Sequence, residues 1–340
     1  MTKRLSILLF LFFISCSSFQ EKKLPSCSRI DAIPGPEDFA LNEAKGLLYI
    51  SSHNRRKPEE DGKIFLLNLN EDMPRPTILN SSYPPGFKPL GMSLVKKDTE
   101  ELLYVISRPL KEEENHRIEV FKIQDKKLEY IKQITDPSII SPNELVALPS
   151  GEIFVSNDKS SRSESSMLID AIFGLKRSRI AYFDGKSWTL LENAVGGGNG
   201  IHYLKEKDEE FLFRTAMFDK KLYKYKIIRI DGKLKLKELQ EYELGGAGDN
   251  ITETEDKSLL FTSHPSFSEF LSHKKSKENI SPSVVHILRP GSQKPEILYA
   301  NSGKEISAAS TALIYKDKLY LAQIFDSFLI RCPLSVQLKE

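Results

Sequence analysis

The sequence lacks a strong excess of either charge. Among its 340 residues, 49 lysines and arginines are balanced by 47 aspartates and glutamates, for a formal net charge of +2. Proteins that bind nucleic acid usually present a strongly basic face, so this balance gives no reason to expect nucleic acid as a partner. The one dense basic run late in the chain, HKKSK at residues 273–277, is predicted to be a solvated loop.

Motifs for nucleophilic and phosphate chemistry are also missing. The chain has no G-x-S-x-G sequence, and its serine-rich stretches are typical of loops. A phosphate-binding loop needs its glycines between a strand and the N-terminus of a helix. The most glycine-dense stretch, AVGGGNGIHYL at residues 194–204, leads instead into a charged turn and another strand-like segment. Five of the six histidines lack the spacing of metal ligands: His53, His116, His202, His273 and His286.

A long hydrophobic run is present only at the N-terminus. A basic start precedes an apolar run over residues 5–14, and Ser15 and Cys16 follow. This pattern is typical of an export signal, and the run is too short for a comfortable membrane span. Ser15 before Cys16 resembles a lipobox, with Phe13 where leucine is usual, and predicts a membrane-anchored lipoprotein of the bacterial cell envelope, lipidated at Cys16. The alternatives are an ordinary cleaved signal, giving a secreted protein, and an uncleaved N-terminal anchor.

Cysteine is scarce. Apart from Cys16 the chain contains only Cys27 and Cys332, one at each end of the mature protein. Two cysteines in an exported protein favour a disulfide. A bridge that closes a loop of about 300 residues stabilises the fold by a few kcal/mol in the chain-entropy model, and it requires the two ends to lie side by side. We therefore expect an export signal over 1–16, a linker over 17–26 and one folded domain over 27–335.

Helical periodicity is scarce, and short alternating or β-branched runs bounded by Gly, Pro, Asp or Asn fill the chain. These runs form units that repeat about every 50 residues or slightly more, a period characteristic of propeller blades. The sequence predicts an all-β fold, a six-bladed β-propeller with four-stranded blades, closed by a disulfide between its first and last blades. The units start at Glu37-Asp38, Leu90-Gly91, Pro142-Asn143, Gly198-Asn199, Asp249-Asn250 and Ala308-Ala309.

One segment departs from the strand pattern. SSMLIDAIFGLKR, residues 165–177, has apolar residues at helical spacing and predicts one short helix inserted between two strands of the third blade. The helix could pack on the propeller rim, cover the channel as a lid or contact a membrane, and the sequence does not separate these roles.

The starts of the units have a chemical pattern of their own. The innermost strand of each blade lines the central channel, so the first residues of these strands meet at one end of it. Five of them carry carboxylate or amide oxygens, a mixture that suits Ca²⁺, whereas zinc prefers His or Cys. The five residues are Glu37, Asn143, Asn199, Asp249 and Asn250.

Several stretches resemble the paraoxonase/arylesterase family, calcium-dependent six-bladed propeller lactonases related to the gluconolactonases. The paired cysteines in LPSC and IRC are a specific part of the match. The stretches follow in order from about residue 24 to residue 334: LPSCSRIDAIPGPEDFAL, SPNELVALPSGEIFVSND, GGGNGIHYL, GAGDNITETEDKSLLFTSHP and STALIYKDKLYLAQIFDSFLIRCPL. The resemblance implies that the five oxygen-bearing residues bind a catalytic calcium ion. It implies a second, structural calcium at Asp38 and Glu144, where the family usually has aspartate in place of Glu144.

The resemblance also places Asp158, in SND, and His264, in TSHP, near the active site. A histidine pair with a base role in the animal members is replaced here by Arg108 and Tyr130. Arginine stays protonated and tyrosine titrates near pH 10, so neither residue serves as an ordinary base at neutral pH. The remaining candidates for that role are Glu37, Asp158 and His264. Arg108 could orient an anionic substrate or be a solvated loop residue.

These observations predict a calcium-dependent hydrolase of lactones or aryl esters, a monomer whose partner is a small-molecule substrate. The ion would polarise the carbonyl and stabilise the oxyanion that forms when water attacks. The alternative is a non-catalytic, surface-tethered binding propeller that uses calcium only to hold its blades together.

Overall fold

The structure, a computed structural model, describes residues 19–97, 99–110 and 115–334. The export signal and Cys16 lie outside these residues. Across the described residues, 24 strands form six antiparallel four-stranded sheets. The predicted six-bladed β-propeller with four-stranded blades is therefore confirmed. No helix in the described part of the chain has the length and apolar character needed to cross a membrane.

Five blades consist of four consecutive strands each, and the sixth recruits a strand from the opposite end of the chain. Strand β1 (Ser28–Asp31) belongs to the sixth blade. The first blade is β2 (Pro36–Asn42), β3 (Leu47–Ser52), β4 (Lys63–Asn68) and β5 (Thr77–Ile78). The second is β6 (Pro89–Lys97), β7 (Glu100–Ser107), β8 (Arg117–Gln124) and β9 (Lys127–Ile134). The third is β10 (Pro142–Ala147), β11 (Ile153–Asn157), β12 (Ile180–Phe183) and β13 (Trp188–Leu190).

The remaining blades continue in chain order. The fourth is β14 (Gly198–Glu206), β15 (Glu209–Ala216), β16 (Lys221–Ile230) and β17 (Lys233–Glu243). The fifth is β18 (Ala247–Glu253), β19 (Leu259–His264), β20 (Ser283–Leu288) and β21 (Glu296–Asn301). The sixth is β22 (Ala309–Tyr315), β23 (Lys318–Gln323) and β24 (Phe328–Pro333), completed by β1 as its outermost strand.

The core lies in layers between adjacent blades. In β3, Leu48 and Ile50 pack in a cluster with Leu313 of the sixth blade, whereas Tyr49 packs with Leu103 of the second blade. Successive strand residues point to opposite faces of a sheet, and both faces of a propeller blade are covered by its neighbours. This is why middle strands such as β3, β11 and β19 consist almost entirely of buried residues instead of alternating between buried and exposed ones.

The ring is closed within the sixth blade. Strand β1 pairs with β24, and the Cys27–Cys332 disulfide joins residues 305 positions apart beside this pairing. The predicted disulfide is confirmed, but the expectation that it links the first and last blades was wrong. Because β1 has crossed into the last sheet, both cysteines belong to the same blade.

The prediction of one inserted helix was incomplete. Helix α1 (Glu164–Phe173) lies between β11 and β12 as expected and ends at Gly174, which adopts φ 61°. A second helix, α2 (Phe267–Lys275), follows β19 and includes part of the HKKSK run, for which the sequence predicts a solvated loop. That expectation was wrong, since His273 is buried in α2. The signal that could have shown α2 is Ser266, whose side chain caps the backbone N–H of Glu269.

The inner strand of every blade carries an irregularity near its start. The pairing of the first and second strands skips one or two residues at the same place in all six sheets. Such bulges release a residue from the regular alternation and re-aim its side chain. The skipped residues are Glu37; Leu90 and Gly91; Asn143; Asn199 and Gly200; Asp249 and Asn250; Ser310 and Thr311.

Candidate metal centre

All five residues that the sequence places around a calcium ion are skipped residues of these bulges. They come from the first, third, fourth and fifth blades. Since the inner strands line the channel and each bulge lies near the start of its strand, the five side chains lie at one end of the channel.

Contacts between blades bring the bulges close together. Asn250 donates from Nδ2 to Glu37 Oε1 at 3.2 Å and to Thr311 Oγ1 at 2.9 Å, across 213 and 61 residues of sequence. Ser310 Oγ and Thr311 Oγ1 both donate to the Glu37 carbonyl, at 2.6 and 2.9 Å. The fifth, sixth and first blades are therefore joined at this point by polar side chains of the bulges themselves.

Two glycines of the 194–204 stretch make room for these contacts. A Cβ on Gly200 would lie 2.6 Å from the Asp249 carbonyl oxygen, so the bulges of the fourth and fifth blades meet at backbone distance. A Cβ on Gly198 would collide with Nη2 of the buried Arg214. That guanidinium donates to the Asn157 carbonyl at 2.9 Å and so ties the third blade to the fourth. The glycines serve close packing around Asn199, which agrees with the exclusion of a phosphate loop.

Four buried oxygen atoms at the bulges have no hydrogen-bond partner: Glu37 Oε2, Asn143 Oδ1, Asn199 Oδ1 and Asn250 Oδ1. Leaving a buried acceptor unsatisfied costs about 1–3 kcal/mol, and four such acceptors at one place call for a shared partner. Carboxylate and amide oxygens are the ligands of hard cations such as Ca²⁺. The residues present therefore fit such an ion.

The pKa values of the acidic residues also favour a bound cation. Burial raises the pKa of Glu37 to about 8, and the charges of Asp38 and Asp249 add to that rise while Arg55 opposes it. Burial likewise raises the pKa of Asp38 to about 7. Without a cation these carboxyl groups retain protons near neutral pH, and a divalent ion would relieve both the burial cost and the mutual repulsion.

Asp38 and Glu144, the predicted second site, lie next along the same inner strands. Asp38 Oδ2 accepts from the backbone N–H of Met92 at 2.8 Å, and Glu144 Oε1 accepts from that of Leu145 at 2.7 Å. Burial, followed by the charges of Asp38 and Glu37, raises the pKa of Glu144. The two acids are close enough to share a hydrogen bond, and a cavity of about 270 Å³ reaches them from the other end of the channel.

His264 is brought to the candidate centre. It ends strand β19, and its Nε2 lies 2.9 Å from Asp249 Oδ2. Its ring packs against Phe270 of α2 at a centroid distance of 4.5 Å. Phe270 holds the imidazole in place, and the contact with Nε2 orients the Asp249 carboxylate, so the histidine is placed to position a predicted metal ligand.

Asp158 is also nearby but is already paired. Arg108 donates from Nη1 to Asp158 Oδ2 at 2.7 Å and from Nη2 to Ser141 Oγ at 3.0 Å, and Ser141 donates to Asp158 in turn. Burial alone would raise the pKa of Asp158, but the charges of Arg108 and Lys159 hold it below its ordinary value. An ionised carboxylate held in this way is a weak base.

Tyr130 is not brought to this cluster by any contact that the structure records. It lies on β9, the outermost strand of the second blade, where its hydroxyl donates to Glu119 at 3.1 Å. Arg108 lies beside Asp158 as the resemblance implies, whereas Tyr130 packs against Phe121 in the blade interior.

No group of three or more His, Cys, Asp or Glu side chains within the described ranges is arranged to hold a metal ion. The candidate centre differs in kind, because three of its five side chains are amides. The family model for arylesterases matches residues 28–334, which include every residue of this centre. The chain belongs to the arylesterase family.

Named relatives of this arylesterase-family chain match over nearly its whole length. Human serum paraoxonase/lactonase 3 is 25% identical over 320 residues, covering 89% of this chain and 88% of that protein. Chicken (Gallus gallus) serum paraoxonase/arylesterase 2 is 25% identical over 318 residues, covering 89% and 87%. A solved structure of a gluconolactonase from Xanthomonas campestris superposes with a TM-score of 0.56 at 12% identity, covering 91% of this chain and 89% of that one. The last likeness concerns the fold alone.

Sequence reasoning missed one residue beside the candidate centre, Arg55. It lies in the turn after β3, and its charge interacts with those of Glu37, Asp249 and Arg108. Burial lowers the pKa of its guanidinium, and Nε and Nη2 have no hydrogen-bond partner. The signal that could have found it is the segment, because the turns after β7 and β11 also supply Arg108 and Asp158, although these two directly follow their strands and Arg55 lies three residues after β3.

Proposed function

We propose that the chain is a calcium-dependent hydrolase of lactones or aryl esters. The observation that carries the proposal is the set of four buried, unpartnered oxygens at the bulges. Membership of the arylesterase family, and relatives named as paraoxonase/lactonase and paraoxonase/arylesterase, support the reaction class.

Glu37, Asn143, Asn199, Asp249 and Asn250 would hold the catalytic ion, and Asp38 and Glu144 a second, structural one. When bound, calcium supplies a Lewis acid that polarises the substrate carbonyl and stabilises the developing oxyanion. Two carboxylates and three neutral amides balance the charge of a dication without adding an excess of negative charge.

Of the three candidate bases, Glu37 has the strongest structural support. Its Oε1 is held by Asn250, while Oε2 has no hydrogen-bond partner, so one carboxylate offers two oxygens for different tasks. Asp158 is engaged by Arg108 and serves to orient that arginine. His264 acts by positioning Asp249. In this proposal Glu37 accepts the proton of the attacking water.

Hydrolysis of phenyl acetate and of several five- and six-membered lactones tests the proposal, with calcium and after chelation. We expect turnover that disappears on chelation, in Glu37→Gln and in Asn199→Ala. It should persist in the matched controls Glu209→Gln and Asn68→Ala, which lie at the ends of the middle strands β15 and β4. Circular dichroism shows whether each variant keeps its fold. No turnover across the panel, with calcium still raising the melting temperature, would favour the non-catalytic binding propeller.

Export, and lipidation at Cys16, are part of the proposal. Fractionation of expressing cells, with the mass of the mature N-terminus, tests them. The expected result is a lipid-modified protein in the membrane fraction that becomes soluble in Cys16→Ser.

A further inference from the structure

The mouth of the candidate metal centre is formed by turns that follow the second strands of the blades. Ser52, Ser107 and Asn157 end β3, β7 and β11, and each pairs with the proline that begins the neighbouring inner strand. The turns that follow therefore begin at the channel end that carries the bulges. Arg108 directly follows Ser107, and Arg55 lies three residues after Ser52, where its charge interacts with those of Glu37 and Asp249.

These two arginines differ in their ion pairs and hydrogen bonds. Arg108 is held by Asp158 at 2.7 Å and by Ser141 at 3.0 Å. Arg55 forms no ion pair with the carboxylates of the described residues, and its Nε and Nη2 are buried without a partner. Its neighbour Arg56 turns the other way, to Asp326 at 3.2 Å and to the His273 carbonyl at 3.1 Å.

The acidic residues near Arg55 already have a proposed role as calcium ligands. Glu37 and Asp249 attract its charge, but in the proposed function both of them bind the calcium ion. With that dication in place, the guanidinium faces positive charge from the ion and from Arg108. Arg55 is partly buried, and its Nε and Nη2 are two buried donors without a partner; a bound anion would satisfy both donors and the positive charge together.

We infer that Arg55 is an anion-binding subsite of the candidate centre, and that the substrate is an ester or lactone carrying a carboxylate. The guanidinium fork matches a carboxylate, with two parallel N–H···O bonds. A monoanion balances the single unpaired charge, whereas a phosphate monoester would bring about −1.5 to −2 charges. The inference deepens the proposed function and rests on it for the reaction, although not for the binding of the anion.

Two measurements test the subsite. The first compares hydrolysis of 4-acetoxybenzoate with that of the neutral isostere 4-acetoxybenzamide. The second is calorimetric binding of 4-hydroxybenzoate, which contains no ester and needs no turnover. Both are made on the calcium-loaded full chain, on Arg55→Gln and on the control Arg56→Gln, which removes the same charge one residue away.

The quantity compared is the preference for the anion, defined as kcat/KM for 4-acetoxybenzoate divided by kcat/KM for 4-acetoxybenzamide. We expect this preference to be about 10- to 100-fold larger in the wild type than in Arg55→Gln, which corresponds to the free energy of a charged hydrogen bond. Affinity for 4-hydroxybenzoate should fall by a similar factor, and Arg56→Gln should keep wild-type values. If Arg55→Gln fails to fold, Arg55→Lys, which retains the charge but loses the fork, should show an intermediate ratio.

The outcomes separate the two proposals. Equal ratios in wild type and Arg55→Gln, with turnover present, overturn the subsite and leave the hydrolase standing. Binding of 4-hydroxybenzoate that depends on Arg55, without turnover of either ester, supports the subsite and counts against the hydrolase. Absence of both binding and turnover overturns both.

Discussion

Glu37 contributes one bound and one unpartnered carboxylate oxygen to the bulge of the first blade. Together with Asp38 it places two carboxyl groups in a buried environment where ionisation is unfavourable without a cation. At the residue scale the candidate centre is therefore a competition between protons and a metal ion for the same oxygens.

This competition predicts how calcium stabilisation depends on pH. Folding raises the pKa of Glu37 from 4.5 to about 8, so the ion-free folded chain binds protons that the unfolded chain releases. Its free energy of unfolding should fall as the pH rises through this range. Calcium displaces the protons, and the increase in melting temperature that it causes should be larger at about pH 8.5 than at about pH 5.5.

Thermal unfolding with calcium and with chelator at both pH values measures this effect. The variant Glu37→Gln removes one of the titrating groups and should flatten the dependence. An equal calcium effect at the two pH values in the wild type would show that these carboxyl groups do not bind the ion.

At the scale of elements, the bulges at the starts of the inner strands decide where side chains are aimed. The inner strands of the fourth and fifth blades meet at Gly200, where a Cβ would lie 2.6 Å from the Asp249 carbonyl and 2.9 Å from Asn250 Cα. Both neighbours are backbone atoms of a strand fixed on its other side by β19. A side chain at this position can be accommodated only by displacing two predicted ligands.

We therefore expect Gly200→Ala to weaken calcium binding at least about 10-fold, as loss of a supporting contact does in metal sites. Gly245→Ala is the matched control, since Gly245 has φ 66° with open space around its Cβ position. This control should lose about 1–2 kcal/mol of stability through backbone strain and keep its calcium affinity. Calorimetry and urea unfolding separate the two effects, and unchanged affinity in Gly200→Ala would contradict the role given to the bulge.

At the scale of the whole molecule, closure of the ring depends on β1 pairing with β24 beside the Cys27–Cys332 disulfide. The bridge spans 305 residues of sequence, so in the chain-entropy model it strongly reduces the conformational entropy of the unfolded chain. It lies on the outer strands of the sixth blade, away from the inner strands that form the candidate centre.

Replacing both cysteines by serine should lower the free energy of unfolding by about 3–5 kcal/mol, measured by urea unfolding without reductant. Calcium affinity below the melting transition should stay close to that of the wild type. A double variant as stable as the wild type would show that strand pairing alone closes the ring.

The sequence was sufficient for much of this architecture, for identifiable reasons. Turn residues and two-residue periodicity are local signals, and they gave the strand runs and the blade period. Helix α2 was missed because its apolar residues are few and its last turn, His273, Lys274 and Lys275, has the composition of a solvated loop. The placement of both cysteines in one blade depends on which sheet β1 joins, and no local pattern encodes that choice.

The candidate site divides in the same way. Which residues carry oxygen at the start of each inner strand, among them Asn199 and Asp249, was determined by the sequence, because chemistry follows residue identity. Only the tertiary structure decided three further features. The oxygens of these residues are buried together without partners, Asp158 is paired with Arg108, and Arg55 is left without an ion pair. Burial and pairing depend on neighbours from other blades, which are distant in the chain and become adjacent only when the ring closes.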